Sequence, residues 1–248
     1  MTISEPLTII FQDQYLVAID KPTRLLVHRS KIDVHATQFA LQRLRDQIGR
    51  PVFPVHRLDR PTSGVLLFAL SSQIARQVTE QFEARSVRKH YTAMVRGVPQ
   101  PSGIWDEPLL EKPDRIVDRL ATRDKPAQPA ITKFETIASW EVPYSTGKYP
   151  NSRYSLVKIQ PLTGRRHQIR RHFNHMAHPI IGDTSHGDRR HNRLFFERFN
   201  IRRLLLVASA LTLNHPVTQQ QIILSADLGD EFERAIECLN QACISNLD

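Results

Sequence analysis

Short runs in which apolar and polar residues alternate dominate the chain, and they predict strands before anything else. Leu7-Thr8-Ile9-Ile10-Phe11 and Tyr15-Leu16-Val17-Ala18-Ile19 read as two strands joined through Gln12-Asp13-Gln14. Lys21-Pro22 ends the second, and residues 25–28 continue as an extended piece. Ala40, Leu41, Leu44 and Ile48 recur at helical spacing, so Thr37 to Ile48 reads as a helix with Gly49 as its C-cap. Val65-Leu66-Leu67-Phe68-Ala69-Leu70 is a continuous apolar strand. Ser71 or Ser72 caps a second helix to about Arg85, with Ile74, Val78 and Phe82 inward and Arg76, Glu80 and Glu83 in water. Residues 88–97 form a strand ended by Gly97, with Tyr91, Ala93 and Val95 on one face.

The second half keeps the same grammar. Residues 99–129 are proline-rich, charged and weakly periodic, which suits a long surface excursion with short strands. Residues 131–137 and 154–160 alternate as strands, with a loop over 144–153 between them. A turn at Pro161-Leu162-Thr163-Gly164 leads into a helix over 165–178. Residues 204–208, 210–213 and 222–224 read as three more strands, and an amphipathic helix runs from about Leu228 to Ala242. Many strands with hairpin-length connections and few helices predict an α+β fold on a mainly antiparallel, mixed sheet. The strand–helix alternation of a doubly wound or barrel fold is missing, and nothing marks a boundary, so one domain over 1–248 is expected.

Composition adds limits. Hydrophobic residues make up 40% and charged residues 24% of the 248, as in ordinary globular proteins. No apolar run approaches membrane-spanning length, and residues 1–6 show no signal-peptide pattern. Cys238 and Cys243 suggest neither a disulfide framework nor a metal site, and a cytoplasmic protein is expected.

Charge changes the picture more. The net charge of +9, mostly arginine, fits a polyanionic partner. Residues 161–203 contain ten arginines (165, 166, 170, 171, 189, 190, 193, 198, 202 and 203) against Asp183, Asp188 and Glu197. A segment so one-sided reads as a phosphate-binding surface, with Arg165, Arg166, Arg171, Arg189 and Arg190 as candidate RNA contacts. The arginines of one helix cannot all face the same way. One or two should turn inward and need a carboxylate, for which Asp59 is a candidate. His172, His175 and His178 wind around that helix instead of converging, so histidines on a polyanion surface fit better than a metal site. No nucleotide, redox or zinc fingerprint is present, leaving cofactor-free chemistry on a carboxylate, or binding alone.

The candidate carboxylate lies in Val55-His56-Arg57-Leu58-Asp59-Arg60-Pro61-Thr62-Ser63-Gly64. Pro61 interrupts regular pairing, and Gly64 lets the chain bend or another backbone come close. Locally, Asp59 fits a structural ion pair as well as a catalytic acid.

Residues 56–64 resemble the catalytic motif of the RluA-type pseudouridine synthases. Ile19-Asp20-Lys21-Pro22, residues 89–97, Leu162-Thr163-Gly164-Arg165-Arg166-His167-Gln168-Ile169-Arg170 and His178-Pro179-Ile180-Ile181-Gly182-Asp183 resemble further motifs of that family, in order. The resemblance implies that family's fold, with few helices around a central cleft, and an isomerase that makes pseudouridine in RNA without a cofactor or metal. It implies Asp59 as the covalent catalyst, Tyr91 stacked on the flipped uracil, Arg170 paired with Asp59, and Arg57 in the gap left by the base. Arg60 would join the RNA contacts. The pattern at residues 26–30, 46–49 and 185–188 points within the family to tRNA as partner, at uridine 65 of the T-stem. A ribosomal RNA target of the same family, or a non-catalytic RNA-binding protein, remains the alternative. No membrane and no protein partner is implied. One departure stands out: Val207 occupies a position where the family often has histidine.

Overall fold

The first hairpin shows how short-range chemistry starts the fold. Asp13 Oδ1 accepts the N–H groups of Tyr15 and Leu16, each at 2.7 Å, and closes the turn between β1 (Thr8–Gln12) and β2 (Leu16–Lys21). The computed structural model describes residues 5–28, 38–110 and 126–246. Among these, the later strands are β3 (Phe53–Pro54), β4 (Ser63–Ala69), β5 (Arg88–Arg96), β6 (Ser102–Asp106), β7 (Ile131–Val142), β8 (Ser152–Pro161), β9 (Leu206–Asn214), β10 (Gln221–Ser225) and β11 (Ser245–Asn246). The helices are α1 (Ala40–Ile48), α2 (Ser72–Glu83), α3 (Gln168–His175), α4 (Arg189–Phe199) and α5 (Asp230–Ala242). The α+β class expected from the pattern is what the chain adopts.

The chain divides into two compact units. The first takes in residues 1–89, 110–126 and 208–227. Its strands run in the order β1-β2-β4-β9, with β3 beside β4 and β10 beside β9. Strand β2 pairs antiparallel with β4 from Leu16↔Ala69 to Lys21↔Gly64. Every residue of β4 is buried, which explains its unbroken apolar run. Helix α2 packs Ile74 and Val78 against Leu16, Ala18, Val65, Leu67 and Leu211. Ser71 caps it by accepting the Ile74 N–H, and Gly49 ends α1 at φ 69°.

The second unit takes in residues 90–109, 127–207 and 228–248. Its strands run β5-β8-β7-β11, with β6 on β7, and the pairs β5–β8, β7–β8 and β6–β7 are antiparallel. One face packs Ala93, Val95, Val157 and Ile159 against Ile169 and Phe173 of α3. Another core joins Met94, Trp140 and Tyr154 to Phe195 and Phe199 of α4 and Phe232 and Leu239 of α5.

Several expectations need correction. One continuous strand, β9 (Leu206–Asn214), replaces the two expected over 204–208 and 210–213. Helix α3 starts at Gln168 and not at 165. The Gln168 side chain bonds backward, accepting the Arg165 N–H at 3.0 Å and the Thr163 hydroxyl at 2.7 Å, so the first residues form a turn. Helix α4 was not expected. Asp188 caps it by accepting the N–H groups of Arg190 and His191. Part of the 99–129 excursion and the first residue of the expected α1 lie outside the described residues.

Gly64 serves the close approach anticipated for it. Its φ is +106°, and a methyl group there would stand 2.3 Å from the Ala208 carbonyl oxygen on β9. Gly64→Ala should therefore cost about 3 kcal/mol or more, from strain and overpacking together. Urea denaturation checks this, and a midpoint equal to that of the parent protein would contradict the packing described.

Candidate active site

Asp59 stands on a turn built from both sequence neighbours and a distant strand end. The Thr62 N–H donates to the Asp59 carbonyl at 3.1 Å and closes Asp59-Arg60-Pro61-Thr62. Lys21, at the end of β2, is fully buried. Its Nζ donates to the carbonyls of Pro22 at 2.9 Å, Leu25 at 2.8 Å and Arg60 at 3.3 Å. An ammonium has three N–H donors, so this cage supplies an acceptor for each and offsets the cost of burying the charge. Thr23 Oγ1 donates to the Pro61 carbonyl at 2.8 Å, and Arg60 Nε to the Arg24 carbonyl at 3.2 Å. Three side-chain bonds thus tie residues 21–24 to Arg60 and Pro61, just after Asp59. Leu58 is buried beneath, Asp59 is half-buried and Arg57 is exposed.

His56 is fixed as a neutral ring. Its Nε2 accepts the Leu67 N–H at 2.9 Å, and the ring stacks on Phe82 at 5.1 Å. A backbone N–H can only donate, so Nε2 carries no proton. Burial, and then the charge of Lys89, push the imidazole down to about 3.

In the second unit, β5 presents Tyr91 half-buried beside Ala93 and Val95. Helix α3 turns Arg170 and Arg171 inward. Arg170 meets Asp183 side-on: Nε donates to Oδ2 at 2.7 Å and an Nη to Oδ1 at 2.8 Å. Their side chains are 4% and 1% exposed. Burial raises the Asp183 carboxyl, but the hydrogen bonds and charge of Arg170, then the His186 and Ser185 N–H groups, outweigh it and hold the group below its ordinary value. Gly182 puts Asp183 in place: at φ +80°, its Cα lies where a methyl group would be 1.8 Å from the Arg203 carbonyl oxygen. Asp183 as the bidentate partner was missed from the sequence; the need for an inward carboxylate, and its place at the end of the motif at residues 178–183, were the signals for it.

The histidines correct another expectation. His172 is buried, not on a polyanion surface. Its Nε2 faces the Glu107 carbonyl at 3.1 Å and its Nδ1 faces Thr132 Oγ1 at 2.9 Å. A carbonyl can only accept, so Nε2 carries the hydrogen and Nδ1 accepts from the threonine. His175 pairs with Glu107 at 2.8 Å, and His178 Nδ1 lies 2.9 Å from the Arg96 carbonyl. No group of three potential metal ligands occurs among the described residues.

The expected RNA contacts separate. Arg57, Arg60, Arg166, Arg189 and Arg190 are exposed, and Arg165 is half-buried with Nε on the Pro129 carbonyl. Arg171 is only 9% exposed, so its charge is mostly withdrawn from solvent.

Residues 15–175 match the model of the family described as RNA pseudouridylate synthase. The chain belongs to the RNA pseudouridylate synthase family. It is an isomerase by that membership, and its motifs place it with the RluA-type branch. It is 51% identical to tRNA pseudouridine synthase C of Vibrio parahaemolyticus, over 92% of this chain and 93% of that protein. The protein of the same name from Haemophilus influenzae is 50% identical, over 92% and 95%. Among solved structures, human RNA pseudouridylate synthase domain containing 4 superposes with a TM-score of 0.70 at 27% identity, covering 94% of this chain and 93% of that one. A second human synthase-domain protein, domain containing 1, shares the fold with a TM-score of 0.71 at 24% identity.

Burial depresses His56, and it likewise depresses His172 and His191. Such a ring stays neutral in the folded synthase while the unfolded chain binds a proton below pH 6.5, so acid favours unfolding from 6.5 downward, for His56 to about 3. The melting temperature should fall as pH drops from 7 to 5, and fall less in His56→Gln, which keeps an acceptor for Leu67. Equal slopes in the two proteins would contradict the assignment of His56.

Proposed function

We propose that this synthase isomerises uridine to pseudouridine in tRNA, at uridine 65 of the T-stem, using Asp59 as its catalytic carboxylate. The observation that carries this reading is about 50% identity, over nine-tenths of both lengths, to bacterial proteins named tRNA pseudouridine synthase C. The position within tRNA rests on the motif pattern at residues 26–30, 46–49 and 185–188.

The reaction breaks the bond from uracil N1 to ribose C1′ and forms one from C5 to C1′. The C5 proton is lost and N1 gains one, so the change balances with no co-reactant. A covalent adduct with the Asp59 carboxylate divides it into two easier steps. Tyr91 stacks on the flipped base, and Arg170 pairs with Asp59 and favours its charged form. Arg57 fills the gap in the stem. Arg60, Arg165, Arg166, Arg189 and Arg190 supply phosphate contacts, whereas Arg171, buried on α3, is left out of that set. The braced turn under Asp59 supports this reading, because an attacking group must be held in place.

Pseudouridine mapping of total tRNA and ribosomal RNA from a strain lacking the gene tests the substrate. Loss at tRNA position 65, restored by the wild-type gene and not by Asp59→Asn, is expected. Loss of a ribosomal site with tRNA unchanged would overturn the reading.

A further inference from the structure

The ion pair between Arg170 and Asp183 is built more tightly than a stabilising pair requires. The Asp183 carboxylate accepts four hydrogen bonds: two from Arg170, and two on Oδ1 from the N–H groups of Ser185 and His186, each at 2.9 Å. Three of the four fall on Oδ1 and one on Oδ2, so both oxygens are engaged. The backbone is clamped as well. Asn192 of α4 accepts the Gly182 N–H at 2.7 Å through Oδ1 and donates Nδ2 to the Asp183 carbonyl at 2.9 Å. Asn174 of α3 donates to the His186 carbonyl at 2.7 Å.

The geometry also divides the guanidinium. Arginine has five N–H donors in a rigid plane. Asp183 engages the Nε edge and takes two of them. The remaining three lie at the other end, and their direction is set once the Nε edge is fixed. A pair serving stability alone could be replaced by apolar residues at little cost, because desolvation offsets most of the attraction. Holding a planar donor fork in one orientation is something an apolar replacement cannot do.

We propose that Asp183 is a positioning residue of the isomerisation: it fixes the Arg170 guanidinium by its Nε edge, so that the opposite donors are held for the catalytic carboxylate. Asn192 is the second member of the device, acting through the backbone of Gly182 and Asp183. The proposal rests on the reading of Arg170 as the partner of Asp59.

The test is steady-state kinetics of the purified protein on an unmodified tRNA transcript, with melting temperature and tRNA affinity measured for every variant. Asp183→Asn should lower kcat by about tenfold or more, the scale of loss from sub-ångström misplacement, with KM and affinity within about twofold. Asn192→Ala should lower kcat in the same way by a smaller factor. Asp183→Asn combined with Arg170→Lys should be no slower than Arg170→Lys alone, because one residue acts through the other. A folded Asp183→Asn protein with wild-type kcat, or losses that multiply in the double variant, would overturn the proposal. If Asp183→Asn does not fold, Asn192→Ala decides, and an unchanged kcat there overturns it. Asp59→Asn in the same assay separates the two levels. If it keeps its rate, the reading beneath fails; if it is inactive while Asp183→Asn is normal, only the positioning role fails.

Discussion

A buried ammonium holds the turn on which the proposed chemistry stands. Lys21 has no exposure to water, and its three donors are met by the carbonyls of Pro22, Leu25 and Arg60. Removing the charge would leave those carbonyls unpaired inside the protein, and removing the carbonyls would strand the charge. Neither partner can leave alone, so the end of β2 and the residue after Asp59 move together. Gly64 adds the second constraint, since β4 can lie against Ala208 of β9 only without a side chain there. A carboxylate that must meet one carbon of a nucleotide needs such a mount, because a displacement of about 1 Å can cost a hundredfold in rate.

The basic segment divides its charge between structure and surface. Its three acids are all used inside the unit: Asp183 on Arg170, Asp188 on the start of α4 and on Arg96, and Glu197 on Arg193. Arg198 lies over the Tyr144 ring and Arg202 over Phe196. The arginines at residues 166, 189 and 190 stay exposed, as do 57 and 60 of the first unit, and these are the residues proposed to contact RNA. Binding through them should depend steeply on salt, since phosphate contacts release counterions.

Most strands were legible because burial on one face writes a period of two into the sequence. Ala93 and Val95 share a buried face with the neighbouring half-buried Tyr91, as the alternation implied. The caps at Ser71 and Gly49 were legible for the same local reasons. Helix α4 was not, because its buried residues Leu194, Phe195 and Phe199 sit among arginines that mask the apolar period. Asp188 ahead of it and the Arg193–Glu197 pair four residues apart were the available signals. Asp183 was illegible as a partner for a different reason. It lies 13 residues beyond Arg170 across a helix end and a turn, and no periodicity encodes such a contact. The buried state of His172 was hidden likewise, since Thr132 and the Glu107 carbonyl come from other strands and loops.

The central claim is that one carboxylate, Asp59, carries the isomerisation of one uridine. Pseudouridine formation by the purified protein on tRNA transcripts tests it most directly. The wild-type protein should convert a transcript with uridine at position 65 and leave one with cytidine there unmodified. Asp59→Asn should bind both and convert neither. Conversion by Asp59→Asn at close to the wild-type rate would contradict the account.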